Sequence, residues 1–401
     1  MVSVQEAENI IQSNIRNFGT ESIPFQSALG RILAKDIKAD RDLPPCNRAT
    51  MDGIAINFSA FDKGIRSFPV LATQAAGDAP VDIKTENECI EIMTGAALAP
   101  SVNTVIRYED LSIQNGTATI NTNNIKQGQN VHLKGKDKKE NETVINSGLL
   151  IDATLISMAA SVGKTELLVK KLPKIVIIST GDELVNVGET PLPHQIRRSN
   201  SYACKAAMQQ YDLSADMLHI PDDYQATKTQ VQDCINKYDA IILSGGISMG
   251  KFDYVPPVLE ELSVKQLFYK VEQRPGKPFW FGKHANDTLV FAFPGNPVST
   301  FMCLHRYFLP WLDACLGISK SKTYAILNRD FTFNPSLQYF LQVKLMMNEK
   351  GELLASPFEG NGSGDFANLV DTDAFMELPL EKSNFIKGEV YRIWPYKQIF
   401  V

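Results

Sequence analysis

Cysteine is sparse in this chain and never clustered. The six cysteines, at positions 46, 89, 204, 234, 303 and 315, form no C-x-x-C pair and stand at no zinc-type spacing from the five histidines. Neither a disulfide framework nor a structural zinc site is expected, and reduced thiols in a cytoplasmic protein are the plain reading. No histidine shares a recognisable nucleophile motif with a serine or cysteine, which argues against hydrolase triads. No run of about 18 apolar residues occurs, so no membrane span is expected. The opening Met1–Glu8 has neither the basic nor the apolar stretch of a secretory signal. Basic excess is missing as well: the formal charge is −5, which argues against nucleic acid as the main partner. Tandem repeats and low-complexity tracts are absent.

What remains is an ordinary soluble composition, 44% hydrophobic and 21% charged over 401 residues. That length predicts roughly two to three domains. Ala7, Ile10, Ile11, Ile15 and Phe18 recur at helical spacing and predict an amphipathic helix over 4–18. Between 41 and 130, short β-like runs (Phe68–Ala72, Glu88–Met93, Asn103–Arg107, Thr117–Ile120) alternate with Gly and Asn turns. A charged loop, Lys134–Glu142, follows. Asp152 is placed to cap a helix reaching about Ser161, stopped at Gly163. The β-rich stretch therefore reads as an insertion between two flanks of one discontinuous domain. The expected division is 1–40 with 135–170, the β-rich insertion 41–134, an α/β domain 171–318 and a β domain 319–401. For the last, strands are expected at Tyr324–Leu327, Tyr339–Met346, Leu353–Ser356, Phe375–Leu378 and Val390–Ile393.

The α/β stretch carries the strongest signal. Three buried-type strands each run into a loop and then a helix pattern. Ile175–Ile178 leads into Ser179-Thr180-Gly181-Asp182-Glu183-Leu184. Ala240–Leu243 leads into Ser244-Gly245-Gly246-Ile247-Ser248-Met249-Gly250. Leu289–Phe293 leads into Pro294-Gly295-Asn296-Pro297-Val298-Ser299. Strand–helix alternation predicts a doubly wound fold. Parallel strands would send all three loops out of one sheet edge, where open α/β sheets bind ligands.

Several residues there suit chemistry. Ser244, Gly245, Gly246 and Ser248 suit a phosphate cradle, although a tight βα turn needs the same glycines. The loop matches neither a dinucleotide fingerprint nor a P-loop. Asp182, Glu183, Asp222 and Asp253 would repel one another at a shared edge unless a cation lies between them. A metal between Glu183 and Asp253 is the specific expectation. Arg274-Pro275-Gly276-Lys277-Pro278 holds two cations on a stiff loop, with Lys270 upstream, which suits an oxyanion. Asp52-Gly53 and Thr94-Gly95 are equally readable as turns.

Taken in order, these segments resemble the molybdopterin molybdenumtransferase family, which includes the C-terminal domain of gephyrin. The likeness is carried by Ala49-Thr50-Met51-Asp52-Gly53-Ile54-Ala55, Thr94-Gly95-Ala96, Ser179–Leu184, Arg198-Ser199-Asn200-Ser201-Tyr202, Ser244–Tyr254, Arg274–Pro278 and Phe293–Ser299. It implies a multidomain α/β protein with a molybdopterin-binding domain and a β-barrel-like C-terminal domain. It also implies insertion of molybdate into adenylylated molybdopterin with release of AMP, assisted by Mg2+, in a homodimer whose sites are shared between subunits. By motif position the resemblance assigns catalysis to Asp52, Glu183, Asp253, Lys270 and Arg274. Substrate contacts fall to Thr94, Asp137, Ser244, Gly245, Gly246, Ser248, Lys277, Pro294, Asn296 and Ser363, and metal contacts to Asp182, Glu183, Asp222 and Asp253. Three positions depart from the family pattern: Ile54 for Tyr, Arg274 for Lys, and Gln342 near an Arg position. The rival readings are a gephyrin-like scaffold without catalysis and a molybdopterin adenylyltransferase. The adenylyltransferase carries Gly-Gly-Thr-Gly where this chain has Gly245-Gly246-Ile247-Ser248.

Overall fold

In the computed structural model, which describes residues 1–247, 253–360 and 362–397, the strands Ile175–Thr180, Ala240–Ser244 and Leu289–Phe293 lie side by side and parallel. Asp216–Ile220 adds to the outer flank of the first strand, again parallel. Trp280–Lys283 and Lys265–Tyr269 extend the other flank antiparallel, giving a six-stranded mixed sheet. Strand periodicity of two sorts the apolar side chains onto opposite faces. Val176, Ile178, Ile241, Leu243 and Val290 pack with Val231 and Ile235 of helix Tyr224–Lys237 and with Val258 of helix Val255–Glu261. Ile175, Ile177, Ile242, Phe291 and Phe293 pack with Met208 of helix Asn200–Gln209, and with Met302, Trp311 and Leu312 from the helical run beginning at Pro297. Each fully buried aliphatic or aromatic side chain contributes about 1.5–3 kcal/mol, so both faces are covered and the domain is doubly wound.

The N-terminal helix is shorter than its apolar spacing suggests, running Val4–Gln12 behind a Ser3/Glu6 capping box. Ser13 Oγ and Asn14 Nδ2 both donate to the Ile10 carbonyl, at 2.7 and 2.9 Å. Such local side-chain bonds compete with helix continuation, and Ile15 is left exposed. Val4, Ala7 and Ile11 enter the core of the α/β body. Ala28, Leu33 and Ile37 instead pack with Ile145, Ile151, Ala159, Leu167 and Val169, so the chain before and after the β-rich stretch shares a core. Thr20–Pro24 also pairs with Glu166–Lys170. Helix Ala153–Ser161 starts where Asp152 accepts from the Leu155 N–H at 2.9 Å.

The β-rich stretch forms one six-stranded sheet from Gly53–Ile56, Ser67–Gln74, Cys89–Ile92, Thr104–Arg107, Leu111–Gln114 and Thr117–Ile120. Leu111–Gln114 was not anticipated from its half-polar sequence. Its signal was the Asn115-Gly116 pair, both residues at positive φ, which closes a hairpin onto Thr117–Ile120. In the C-terminal region Gln338–Met347, Leu353–Pro357, Thr323–Leu327, Val390–Pro395 and Ala374–Leu378 pair in that order. The last pairs back onto the first, closing a five-stranded barrel.

Candidate active site

The strands ending at Ile220, Thr180, Ser244 and Phe293 are in register and parallel, so their following loops leave one edge. At about 4.8 Å per strand the row spans roughly 14 Å. At one end the Asp182 N–H approaches Asp222 Oδ2 at 3.4 Å, and the Asp222 N–H donates to Asp182 Oδ1 at 3.1 Å. This reciprocal pair leaves each carboxylate a second oxygen with no hydrogen bond among the described residues. Glu183 is exposed and its carboxylate folds back over Gly181. Asp253 lies near enough to Tyr269 to raise its pKa, an effect led by burial of that phenol.

At the other end a cleft of about 460 Å³ opens between the α/β edge and the barrel. Seven of the expected residues line it: Gly245, Gly246, Arg274, Lys277, Pro294, Asn296 and Ser363. Among the described residues no acidic one does. Among the described residues neither Arg274 nor Lys277 has an acidic partner at ion-pair distance. The basic loop is held from below by Gln273, which is fully buried. Gln273 Nε2 donates to the Gly276 carbonyl at 3.0 Å, and its Oε1 accepts from the Tyr307 hydroxyl. Asn296 Nδ2 donates to Ser363 Oγ at 2.9 Å, leaving the serine proton free for a ligand.

The glycine loop is narrower in function than its composition suggests. The Gly245 N–H donates to the Phe293 carbonyl at 3.1 Å, so Gly246 offers the remaining N–H of the pair. Gly246 sits at φ +69, and a Cβ there would meet Val255 Cγ2 at 2.8 Å. The Ser244 side chain does not reach the cleft. It is 3% exposed and turned inward, where Asn200 Nδ2 contacts its Oγ at 2.9 Å and the Gly295 carbonyl at 2.7 Å. Asn200, the first residue of helix Asn200–Gln209, is a clip between two loops, and that helix has no side-chain cap bond. Ser248 lies outside the described residues. Two further residues stand at the site, Thr180, to which sequence reasoning gave no role, and Gln342, which it noted only as a departure from the family pattern. Thr180, 8% exposed, lies against both glycines with its Oγ1 unpartnered. Gln342 lines the cleft with a buried, unpartnered Oε1.

Lys270 stands apart from the cleft, at φ +65, with its ammonium 5.1 Å from the Tyr269 ring centre. Asp52 and Thr94 lie on the β-rich body, Asp137 in the charged loop just beyond it, and none of the three lines this chain's own cleft. Asp52 Oδ1 accepts from the Thr94 N–H at 2.6 Å and its hydroxyl at 2.7 Å. Those bonds, the backbone one first, hold the Asp52 carboxyl below its ordinary range. Gly53 must be glycine: at φ +155 a Cβ would lie 1.9 Å from the Ile106 carbonyl oxygen. Asp137 Oδ1 is 2.8 Å from His132 Nε2, and His132 Nδ1 is 3.4 Å from Arg48 Nη2.

Among the described residues no group of three or more His, Cys, Asp or Glu side chains gathers closely enough to hold a metal alone. Asp182 and Asp222 are held together by their two reciprocal backbone-to-carboxylate bonds. Hard oxygen donors in a pair, each with one oxygen uncommitted, fit magnesium, which takes one or two carboxylates and fills its shell with phosphate and water oxygens.

The match to known proteins covers the chain end to end. Residues 2–163 match the MoeA N-terminal region (domain I and II), 176–314 a probable molybdopterin binding domain, and 324–396 the MoeA C-terminal region (domain IV). A molybdopterin molybdenumtransferase of Synechocystis sp. is 38% identical over 99% of this chain and 100% of its own. One from Bacillus subtilis is 28% identical over 93% of this chain and 89% of its own. The crystal structure of a molybdopterin biosynthesis moea protein from Pyrococcus horikoshii superposes with a TM-score of 0.84 at 28% identity. That superposition covers 99% of this chain and 100% of the other.

Proposed function

Because this chain belongs to the molybdopterin molybdenumtransferase family, and so to molybdenum cofactor biosynthesis, we propose that it inserts molybdate into adenylylated molybdopterin and releases AMP. The observation that carries this reading is a cleft that, among the described residues, no acid lines and whose two cations have no acidic partner at ion-pair distance. Molybdate is a tetrahedral oxyanion. Arg274 supplies a planar fork of donors, Lys277 a point charge, and Ser363 a neutral O–H whose oxygen is already fixed by Asn296. Carboxylates would repel molybdate, and the fold keeps Asp182 and Asp222 at the far end of the same edge. The pyrophosphate of the pterin substrate would lie between, over the Gly246 N–H and beside Thr180 Oγ1. Asp182 and Asp222, with Glu183 and Asp253, would hold magnesium, which when bound neutralises charge on phosphoryl oxygens. Asp52, Thr94 and Asp137 would complete the cleft of a second copy in a homodimer. The six unpaired cysteines fit a reducing, cytoplasmic setting.

The experiment is AMP release by purified protein supplied with adenylylated molybdopterin, magnesium and molybdate. Release should depend on molybdate and fall at least tenfold in Arg274→Ala and Lys277→Ala. Mixed dimers of Asp52→Ala with Arg274→Ala should recover part of the activity that each variant alone has lost. Release indifferent to molybdate, or unchanged in both cleft variants, would overturn the reading.

A further inference from the structure

A second cavity, of about 430 Å³, lies between helix Leu309–Leu316, the segment 318–323 and the last barrel strand, Val390–Pro395. It shares no lining residue with the first cleft. Two of its walls carry polar atoms that are buried and unpartnered, His305 Nε2 and Asp313 Oδ1. Both residues are only 8% exposed. Such groups are rare in folded proteins and call for a partner. The other Asp313 oxygen is taken by Lys320 Nζ at 2.9 Å, and the Tyr211 hydroxyl lies near the same carboxylate, while Oδ1 itself has no hydrogen-bond partner. The His305 ring is packed 4.4 Å from Phe301 and 5.8 Å from Tyr396, centre to centre. Burial pushes its pKa down to about 3, so at neutral pH it is an uncharged ring nitrogen.

The rim has the opposite character. Lys322 and Arg392 line it, and among the described residues neither has an acidic partner at ion-pair distance. The Arg392 guanidinium lies 3.9 Å over the Trp394 ring, and Trp394 and Tyr396 both line the cavity.

We propose that this cavity binds a phosphorylated heterocycle of nucleoside monophosphate size. The phosphate would meet Lys322 and Arg392 at the rim. The ring would lie beside Trp394 and Tyr396, and its amino group and ring nitrogen would satisfy Asp313 Oδ1 and His305 Nε2. Neither half of the ligand answers the whole site: a bare phosphate leaves the inner pair unpartnered, and an uncharged nucleoside leaves the cations unpartnered. The proposal is independent of the function assigned to the first cleft.

The test is calorimetric titration of the full-length protein with AMP, adenosine and inorganic phosphate. It uses wild type, an Arg274→Ala/Lys277→Ala double variant that disables the first cleft, and Lys322→Ala. AMP should bind the cleft variant, and more tightly than adenosine or phosphate. Lys322→Ala should weaken that binding about tenfold or more while leaving molybdate-dependent AMP release intact. Lys322 is exposed, so the variant should fold. His305→Phe, which keeps the aromatic packing, should weaken AMP but not phosphate. AMP binding that vanishes with the first cleft, phosphate binding as tight as AMP, an unaffected Lys322→Ala, or a crystal soaked in AMP with only ordered water on Asp313 and His305 would each overturn the proposal. None of these would touch the reading of the first cleft.

Discussion

Replacing Tyr307 with phenylalanine removes one hydroxyl and asks what holds the basic loop in place. Tyr307 is 2% exposed and Gln273 fully buried. The hydroxyl donates to Gln273 Oε1, while Gln273 Nε2 donates to the Gly276 carbonyl, between Arg274 and Lys277 in sequence. Burial raises the tyrosine pKa well above its ordinary value, so the donor persists across the working pH range. Without it a buried amide oxygen is left unpartnered, at a cost of about 1–3 kcal/mol. Part of that cost should appear as a thermal midpoint lowered by a few degrees. The rest should appear as looser placement of Arg274 and Lys277. If about 1.4 kcal/mol falls on the loop, molybdate affinity drops about tenfold, with the apparent KM for molybdate rising more than kcat falls. Gln273→Met removes the other half of the pair, and the double variant should be less damaged than the sum of the singles by at least ~0.5 kcal/mol. Strict additivity, or a Tyr307→Phe protein with wild-type midpoint and wild-type molybdate affinity, would refute the anchor.

Three further perturbations have signed outcomes. Thr94→Val removes one of the two donors that depress Asp52, so its carboxyl pKa should climb toward the ordinary 3.8 in a carbon-detected NMR titration. The stability these bonds lend is full above about pH 4 and lost as pH falls through the depressed value, and the variant should lose less on acidification; an unmoved pKa would contradict the assignment. Gly53→Ala cannot avoid the Ile106 carbonyl at 1.9 Å without parting strands Gly53–Ile56 and Thr104–Arg107, so a loss of about 3 kcal/mol or more is expected, read as lost amide protection in the β-rich sheet. His305 has a folded pKa near 3 against an unfolded value near 6.5. The unfolded chain therefore binds the extra proton, and stability should fall as pH drops from about 6.5 toward 3. His305→Phe should flatten that limb, and an unchanged slope would show the imidazole is not the titrating group.

Much of this architecture was legible because burial on both faces leaves a plain trace. Ile175–Ile178, Ala240–Leu243 and Leu289–Phe293 are unbroken apolar runs, and each is followed by glycine or proline. Once those strands are parallel, the shared edge follows. The barrel strands, most of them buried on one face only, were legible from their β-branched and aromatic content, and their ends came out within a residue or two. Closure was not. It rests on Tyr339 pairing with Leu378 and Val343 with Ala374, a long-range register that no local pattern encodes. Where the Ser244 hydroxyl and the Gly245 N–H point was not legible, because composition reports which residues a loop contains, not where its donors go. Asn200 and Phe293 take up those groups from distant parts of the chain.

The width of the first cleft is set by backbone pairing and not by a hinge. Gln273 and Arg274 leave the α/β body and pair in parallel with Gln338 and Tyr339 of the longest barrel strand. The basic loop is therefore also the outermost strand of the barrel's sheet. Across the cleft, the Val298 N–H donates to the Ser363 carbonyl at 3.2 Å while Asn296 holds the Ser363 hydroxyl, so the barrel is tied to the α/β edge a second time. Two ties on opposite sides fix the separation of Arg274, Lys277 and Ser363 before any ligand arrives. For a small tetrahedral anion that is the useful arrangement: three donors already spaced lose little freedom on binding, and an anion of the wrong size cannot be met by moving one wall. Cutting the second tie with Asn296→Ala should therefore weaken molybdate more than it weakens the pterin substrate, measured by separate titrations. Equal losses for both would mean the bond merely steadies the fold.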